Sequence, residues 1–173
     1  RGPDHQACAS FSIGDFQVNL LHSRLSIIDL DTRSNQPFTI GSTTIVYNGE
    51  IYNFPELRKQ LSTYWQFRTS SDTETILAAY EHYGPDCVKH LRGMFAFAVW
   101  DPRKQVLFCA RDRFGIKPFY YTQIGETVYF ASEIKALVPF LPEVKTDPAG
   151  LVEYLTFQYT IGANTLFNGV QQL

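Results

Sequence analysis

The sequence predicts an α+β fold built on antiparallel sheets, and three observations carry that reading. Short runs of alternating apolar and polar residues recur between Gly, Asn, Asp and Pro turn signals. Two helix-start patterns, Asn53-Phe54-Pro55-Glu56 and Ser71-Asp72-Thr73-Glu74, mark the few helices. Aromatic residues make up 15% of the chain, and Phe and Tyr favour sheets packed on broad faces. Many strands joined by tight turns, with few helices between them, imply an α+β sandwich and not a βαβ fold.

Taken in order, residues 7–13 and 16–22 alternate around Gly14-Asp15 and predict a hairpin with Phe16, Val18 and Leu20 on one face. Residues 25–30 continue as a further strand. Residues 31–37 are polar, close on Pro37 and predict an exposed loop. Thr43-Thr44-Ile45-Val46-Tyr47 is rich in β-branched residues and predicts a strand that stops at the Asn48-Gly49 step. Asn53 then caps a helix to about Leu61, with Pro55 tolerated in the first turn. A second helix opens at Ser71-Asp72, carries Ile76, Leu77, Tyr80 and Tyr83 at helical spacing, and stops at Gly84-Pro85. A short helix over 86–91 follows. Residues 95–100 and 106–110 are strands across the turn Asp101-Pro102-Arg103-Lys104, and 119–122 and 128–131 pair around Gly125. A helical turn or two over 133–138 and a last helix from Asp147-Pro148 to about Leu155 complete the chain.

A chain of 173 residues fits one domain, or one domain and a fragment. It buries roughly 70% of its unfolded surface and needs no metal or disulfide staple. With 15 basic and 17 acidic residues the net charge is −2, which gives no electrostatic case for nucleic acid or an anionic membrane. Cys8, Cys87 and Cys109 are far apart and odd in number, and His5, His22, His82 and His90 show no metal spacing. The expectation is no zinc, no disulfide and buried reduced thiols in a cytosolic protein. The longest apolar run, residues 94–100, is far too short to span a bilayer. Arg1-Gly2-Pro3-Asp4 has neither an apolar signal core nor an initiator Met, and Gly169-Val170-Gln171-Gln172-Leu173 is no helix stop. The chain therefore reads as cut at both ends.

The run from Val46 to Asn53 is the most informative chemically. Asn48, Gly49 and Glu50 bring an amide, a backbone N–H and a carboxylate within three residues, a set that suits a developing oxyanion and a nearby ammonium. Glu50 and Asp72, together with the guanidinium fork of Arg24, would read a zwitterionic amino acid. Each residue alone has a blander reading. Asn-Gly is a common turn, Asp72 a helix cap, Glu50 a solvated carboxylate and Arg24 an ion-pair partner. Arg111, Asp112, Arg113 and Lys117 read as a structural ion-pair cluster after a strand.

The joint pattern reverses those odds. Arg1-Gly2-Pro3-Asp4, His22-Ser23-Arg24-Leu25-Ser26-Ile27, the Tyr47 to Asn53 run and Ser71-Asp72-Thr73-Glu74 fall in order. Gly93-Met94-Phe95-Ala96-Phe97-Ala98, Ala110-Arg111-Asp112-Arg113-Phe114-Gly115-Ile116-Lys117-Pro118 and Ala131-Ser132-Glu133-Ile134-Lys135-Ala136-Leu137 follow them. Over essentially its whole length the chain resembles the class II, N-terminal-nucleophile glutamine amidotransferase domain of asparagine synthetases. The resemblance implies an Ntn-hydrolase-like sandwich of two antiparallel sheets flanked by helices. It implies removal of the glutamine side-chain nitrogen as ammonia, through a thioester on an N-terminal cysteine whose α-amine is the base. Arg24 would grip the glutamine α-carboxylate beside Leu25 and Ile27. Asn48 and Gly49 would form the oxyanion hole, and Glu50 and Asp72 would hold the α-ammonium.

In the family the nucleophile precedes the Arg-Gly-Pro-Asp motif. Cys8 follows it and is not the equivalent residue, so these 173 residues alone are expected to shape a glutamine pocket without hydrolysing glutamine. The domain would occupy 1–155, with 156–173 starting the connection to an ATP-dependent synthetase domain. No cofactor or metal is expected in the present domain. ATP and Mg2+ belong to the absent half, and no Gly-rich phosphate loop occurs here. Expected partners are glutamine, the linked synthetase domain and a second copy in a homodimer, with no nucleic acid or membrane; the expected compartment is the cytoplasm. Two alternatives stay open: an amidotransferase with another acceptor, such as one in surface-polysaccharide synthesis, and a non-catalytic amino-acid or partner-binding homologue.

Overall fold

The structure, a computed structural model, describes residues 2–173. Arg1, the first residue of the Arg-Gly-Pro-Asp motif, lies outside the described residues. The chain forms two compact units, one ending at Asp112 and one running from Arg113 to Leu173.

In the first unit β1 (His5–Ile13) and β2 (Phe16–Arg24) form the expected hairpin, in register from His5–Arg24 to Ile13–Phe16. Its inward side carries Val18, Leu20, His22 and Arg24, whereas Phe16 at the turn is exposed. Next come β3 (Phe38–Ile40), β4 (Thr43–Ile51), β5 (Gly93–Asp101) and β6 (Val106–Arg111), an antiparallel sheet in that order. Helices α1 (Phe54–Leu61) and α2 (Asp72–Tyr83) lie between β4 and β5 in sequence.

Strand alternation explains the core. Ile45, Tyr47 and Ile51 of β4 and Phe95, Phe97 and Val99 of β5 share one face and pack with Leu57, Leu61, Ile76, Leu77, Tyr80 and Leu91. Fully burying each such aliphatic side chain contributes roughly 1.5–3 kcal/mol. The other face carries Thr44, Val46, Ala96, Ala98 and Trp100, also buried, and the hairpin reaches it through Phe11, whose ring lies 6.5 Å from that of Trp100. Hairpin, sheet and helices thus form successive layers.

The second unit holds β7 (Tyr120–Ile124), β8 (Thr127–Ala131) and β9 (Gln171–Gln172), an antiparallel sheet in the order β8-β7-β9. Its helix α3 (Pro148–Phe157) is capped by Asp147, which accepts from the Gly150 N–H at 2.7 Å.

Several local expectations are corrected. Residues 25–30 are not a strand, because the carbonyls of Ile28 and Asp29 turn toward the Arg24 guanidinium and cannot serve a ladder. Residues 31–37 are not simply exposed. They contain a 3-10 turn over Thr32–Ser34, and Ser34 and Gln36 are buried. Strand β4 does not stop at Asn48-Gly49 but runs on to Ile51, held by pairing with β5 from Thr44–Trp100 to Ile51–Gly93. Asn53 makes no side-chain cap to α1; its amide donates to the His90 carbonyl at 2.9 Å and accepts from Arg92 N–H at 2.8 Å.

The capping box at α2 is half formed. Ser71 Oγ accepts from the Thr73 N–H, but the buried Glu74 turns to the preceding loop, accepting from Arg68 N–H, Thr69 N–H, Thr69 Oγ1 and Trp65 Nε1. The helix expected over 86–91 is a 3-10 segment, Gly84–Lys89, and the turn over 133–138 is a pair of 3-10 turns, Ile134–Ala136 and Val138–Phe140. Cys87 is buried and Cys109 partly so, but Cys8 is exposed.

Candidate active site

The site is built along one edge of β4. Strand β3 pairs with β4 only from Ile40–Thr43 to Phe38–Ile45, and among the described residues no strand continues along that side of β4 beyond Ile45. The odd-numbered N–H groups of β4 face that edge. Side chains take two of them: Gln36 Oε1 accepts from Tyr47 N–H at 2.6 Å, and Asp72 Oδ2 accepts from Ile51 N–H at 3.1 Å.

Gly49 lies between them. Its cross-strand partner Phe95 gives its own N–H to Asp112 Oδ2 at 3.1 Å and its carbonyl to the Asp112 N–H at 2.8 Å. Gly49–Phe95 is therefore a non-hydrogen-bonded pair, and the Gly49 N–H points outward at the open edge. Only glycine fits here. Its φ is +154°, and an added Cβ would stand 2.2 Å from the Met94 carbonyl oxygen and 2.7 Å from the Phe95 Cα. Asn48, exposed, and Glu50, half-buried, flank it with side chains on the opposite face from Tyr47.

Asp72 is 4% exposed and accepts from Tyr47 Oη at 2.8 Å as well as from Ile51 N–H. Burial pushes its carboxyl above the ordinary range, and the bonds from Ile51 and Tyr47 oppose that rise. The Tyr47 phenol is raised too, by burial and then by the Asp72 charge. Asp72 is helical, in the first turn of α2; the cap itself is Ser71.

Arg24 is buried at the end of β2. Its Nη1 donates to Asn35 Oδ1 at 2.7 Å and to the Asp31 carbonyl at 3.2 Å, and its Nη2 to the Asp29 carbonyl, with Ile28 O at 3.5 Å. Asp29 pins the same loop to the start of α2: Oδ2 accepts from Ser34 Oγ and Ser70 N–H, both at 2.7 Å, and Oδ1 from Asp31 N–H. Although burial works against it, those bonds hold the Asp29 carboxyl below its usual value. Leu25 and Ile27 stand exposed on this loop. A substrate carboxylate at Arg24 would replace loop carbonyls as acceptor, and a charged acceptor is the stronger partner.

The structure thus joins Tyr47, Ile51 and Asp72 in one bonded group, with Asn48, Gly49 and Glu50 on the same strand. Arg24 reaches α2 indirectly, through Asp29. Sequence reasoning missed His22, Gln36 and Asp29 as parts of this scaffold. The signal at hand was the position of Gln36 two residues before β3, but its partner is a backbone N–H eleven residues away. Among the described residues no group of three or more His, Cys, Asp or Glu is placed to hold a metal ion. No described helix is long and apolar enough to cross a membrane.

Comparison with known proteins identifies the family. The family model described as "Glutamine amidotransferase domain" matches residues 1–173. Asparagine synthetase [glutamine-hydrolyzing] 1 of Bacillus subtilis is 44% identical over 169 residues, covering 96% of this chain and 26% of that protein. Amidase chyE of Penicillium rubens is 42% identical over 176 residues, covering 100% of this chain and 25% of that protein. The chain spans about a quarter of the length of the curated relatives it matches. Among solved structures, glutamine phosphoribosylpyrophosphate amidotransferase from B. subtilis superposes with a TM-score of 0.54 at 23% identity, over 69% of this chain and 28% of that one. That likeness carries the fold, an α+β arrangement of antiparallel sheets and helices of the Ntn-hydrolase kind. Matched from end to end by one family model, the chain belongs to the glutamine amidotransferase domain family.

Proposed function

We propose that this domain binds glutamine and stabilises the oxyanion formed as its side-chain amide is cleaved to glutamate and ammonia. The observation that carries the reading is the outward Gly49 N–H beside Asn48, on an edge whose neighbouring N–H groups are already taken. A thiolate attacks the amide carbon, and the carbonyl oxygen takes the negative charge and accepts from Gly49 N–H and the Asn48 amide. The nitrogen leaves as ammonia after gaining a proton, and water releases glutamate from the thioester. The nucleophile is the family's leading cysteine, upstream of the Arg-Gly-Pro-Asp motif. Arg24, with Leu25 and Ile27 beside it, receives the α-carboxylate; Glu50 and Asp72 receive the α-ammonium. Because Asp72 is nine-tenths buried and already bonded, Glu50 is the more accessible of the two carboxylates.

Residues 1–155 form the glutaminase part and 156–173 lead toward a synthetase portion, where ATP and Mg2+ activate aspartate and ammonia converts it to asparagine. Such an enzyme acts in the cytoplasm, and pairing of two copies is read from its solution mass. Relatives at 40–42% identity over the whole chain are named amidases, which favours a second reading: the same glutaminase chemistry serving a different acceptor.

The test is ammonia release from glutamine by the full-length protein, with and without Asn48→Ala. Removing one oxyanion donor is expected to lower kcat about 10²–10³-fold with little change in KM. Glutamine bound tightly but never turned over by the wild type would overturn the catalytic reading and leave a binding domain.

A further inference from the structure

We infer that Gln36, with His22, is a positioning residue of the oxyanion hole, its side chain taking the place that β3 would hold if it ran on past Phe38. This rests on the proposed glutaminase reading. The β3–β4 register pairs Phe38 with Ile45, so continuing it would set residue 36 opposite residue 47 and residue 34 opposite residue 49. The backbone does not continue. It turns into the 3-10 segment Thr32–Ser34, where Ser34 Oγ is donated to Asp29. At the departure point the Gln36 side chain reaches back, and its Oε1 takes the Tyr47 N–H that a neighbouring strand would have taken. Its Nε2 lies 3.4 Å from Thr73 Oγ1, on α2, and the whole side chain is buried. The peeled-off backbone leaves Gly49 without a strand partner on that edge among the described residues, and the bridging amide holds the strand at Tyr47.

His22 completes the grip from the hairpin. Its Nε2 is 3.2 Å from the Tyr47 carbonyl oxygen, so that nitrogen carries the proton, and its buried Nδ1 has no partner among the described residues. Tyr47 is therefore held at its N–H by Gln36, at its carbonyl by His22 and at its hydroxyl by Asp72. The next peptide is the one whose N–H belongs to Gly49. Fixing the N–H and carbonyl of Tyr47 fixes the planes of the peptides on both sides of Tyr47, the second of which adjoins the peptide that carries the Gly49 N–H. That is the preorganisation an oxyanion donor needs, since a donor that must reorient in the transition state loses much of its worth.

The experiment uses the full-length protein and four readouts: kcat, KM for glutamine, inhibition by glutamate, and inhibition by the aldehyde analogue of glutamine, which forms an oxyanion on the nucleophile. Gln36→Leu is expected to lower kcat and weaken the aldehyde by a similar factor, roughly ten- to a hundredfold. KM and glutamate inhibition should move by less than about threefold, because neither needs the oxyanion donor. Gln36→Glu keeps an acceptor oxygen in place and should recover most of the loss. Combined with Asn48→Ala, the Leu variant should lose less than the product of the two single losses. An unchanged kcat in Gln36→Leu, or equal losses in Gln36→Leu and Gln36→Glu, overturns the positioning role. If Asn48→Ala also leaves kcat unchanged in an active wild type, the oxyanion assignment falls first. A wild type that releases no ammonia sinks the glutaminase reading itself.

Discussion

Alanine at position 49 is the sharpest structural test of the site. Its Cβ would lie 2.2 Å from the Met94 carbonyl oxygen, and real Cβ contacts essentially never fall under 3.0 Å. The obstacle is backbone, so β4 and β5 must part by about 0.8 Å or more. An N–H···O bond of ordinary length stretched that far passes beyond useful range. The pairs on either side, Asn48–Ala96 and Glu50–Met94, carry the ladder bonds here. Losing two of these four bonds costs about 1 kcal/mol each, and the positive φ adds about 1–2 kcal/mol, for a total of about 3–4 kcal/mol. Gly14→Ala is the control. It also has a positive φ, +56°, but nothing lies within 4 Å of its added Cβ, so only the conformational cost of about 1–2 kcal/mol applies. Urea unfolding of the 173-residue chain reports both, since Trp65 and Trp100 lie in the first unit. A Gly49→Ala protein no less stable than Gly14→Ala would refute the argument that two strand backbones meet at that glycine.

Other consequences are equally measurable. Arg24→Lys keeps the charge but loses the fork that gathers the Asp29 and Asp31 carbonyls and Asn35. Amide exchange over residues 25–31 should rise, and KM for glutamine by about tenfold or more. Burial holds the His22 pKa below its ordinary 6.5, so the unfolded chain takes up a proton before the folded one does. The stability this neutral ring contributes is full above pH 6.5 and is lost as pH falls through 6.5 toward the lower folded value; urea midpoints from about pH 5 to 7.5 should slope upward, and less so in His22→Gln. A thiol reagent should label Cys8 at once and Cys87 only on unfolding, because Cys87 is buried and its thiol is pushed up to about 12.

The elements legible in the sequence are those whose cause is local. The β1–β2 hairpin announces itself by alternation around a turn, β5–β6 by apolar runs on either side of Asp101-Pro102-Arg103-Lys104, and α2 by its Ser71 cap and the spacing of Ile76, Leu77 and Tyr80. Residues 25–37 were not legible, because bonds to distant groups shape them: Asp29 with Ser70, 41 residues away, and Gln36 with Tyr47. Asn48-Gly49 misled for a related reason. It is a strong turn signal, and eight consecutive pairings with β5 override it. Of the proposed site, Asn48, Gly49, Glu50 and Asp72 could be named from residue type and order. Gln36 and His22 could not, because what they bind is the backbone of an edge that exists only where β3 stops.

That edge carries a further consequence, for self-association. An uncovered strand edge is ordinarily a template on which another chain can zip, and many proteins blunt it with lysine, proline or a bulge. Here the blunting comes from within: an amide at Tyr47 and a carboxylate at Ile51 plug the positions on either side of Gly49. A foreign strand needs successive backbone contacts to add itself, and it finds a gap one residue wide. A single carbonyl oxygen needs no more than that, so the same plugs that guard the sheet against aggregation leave a slot sized for one atom of substrate.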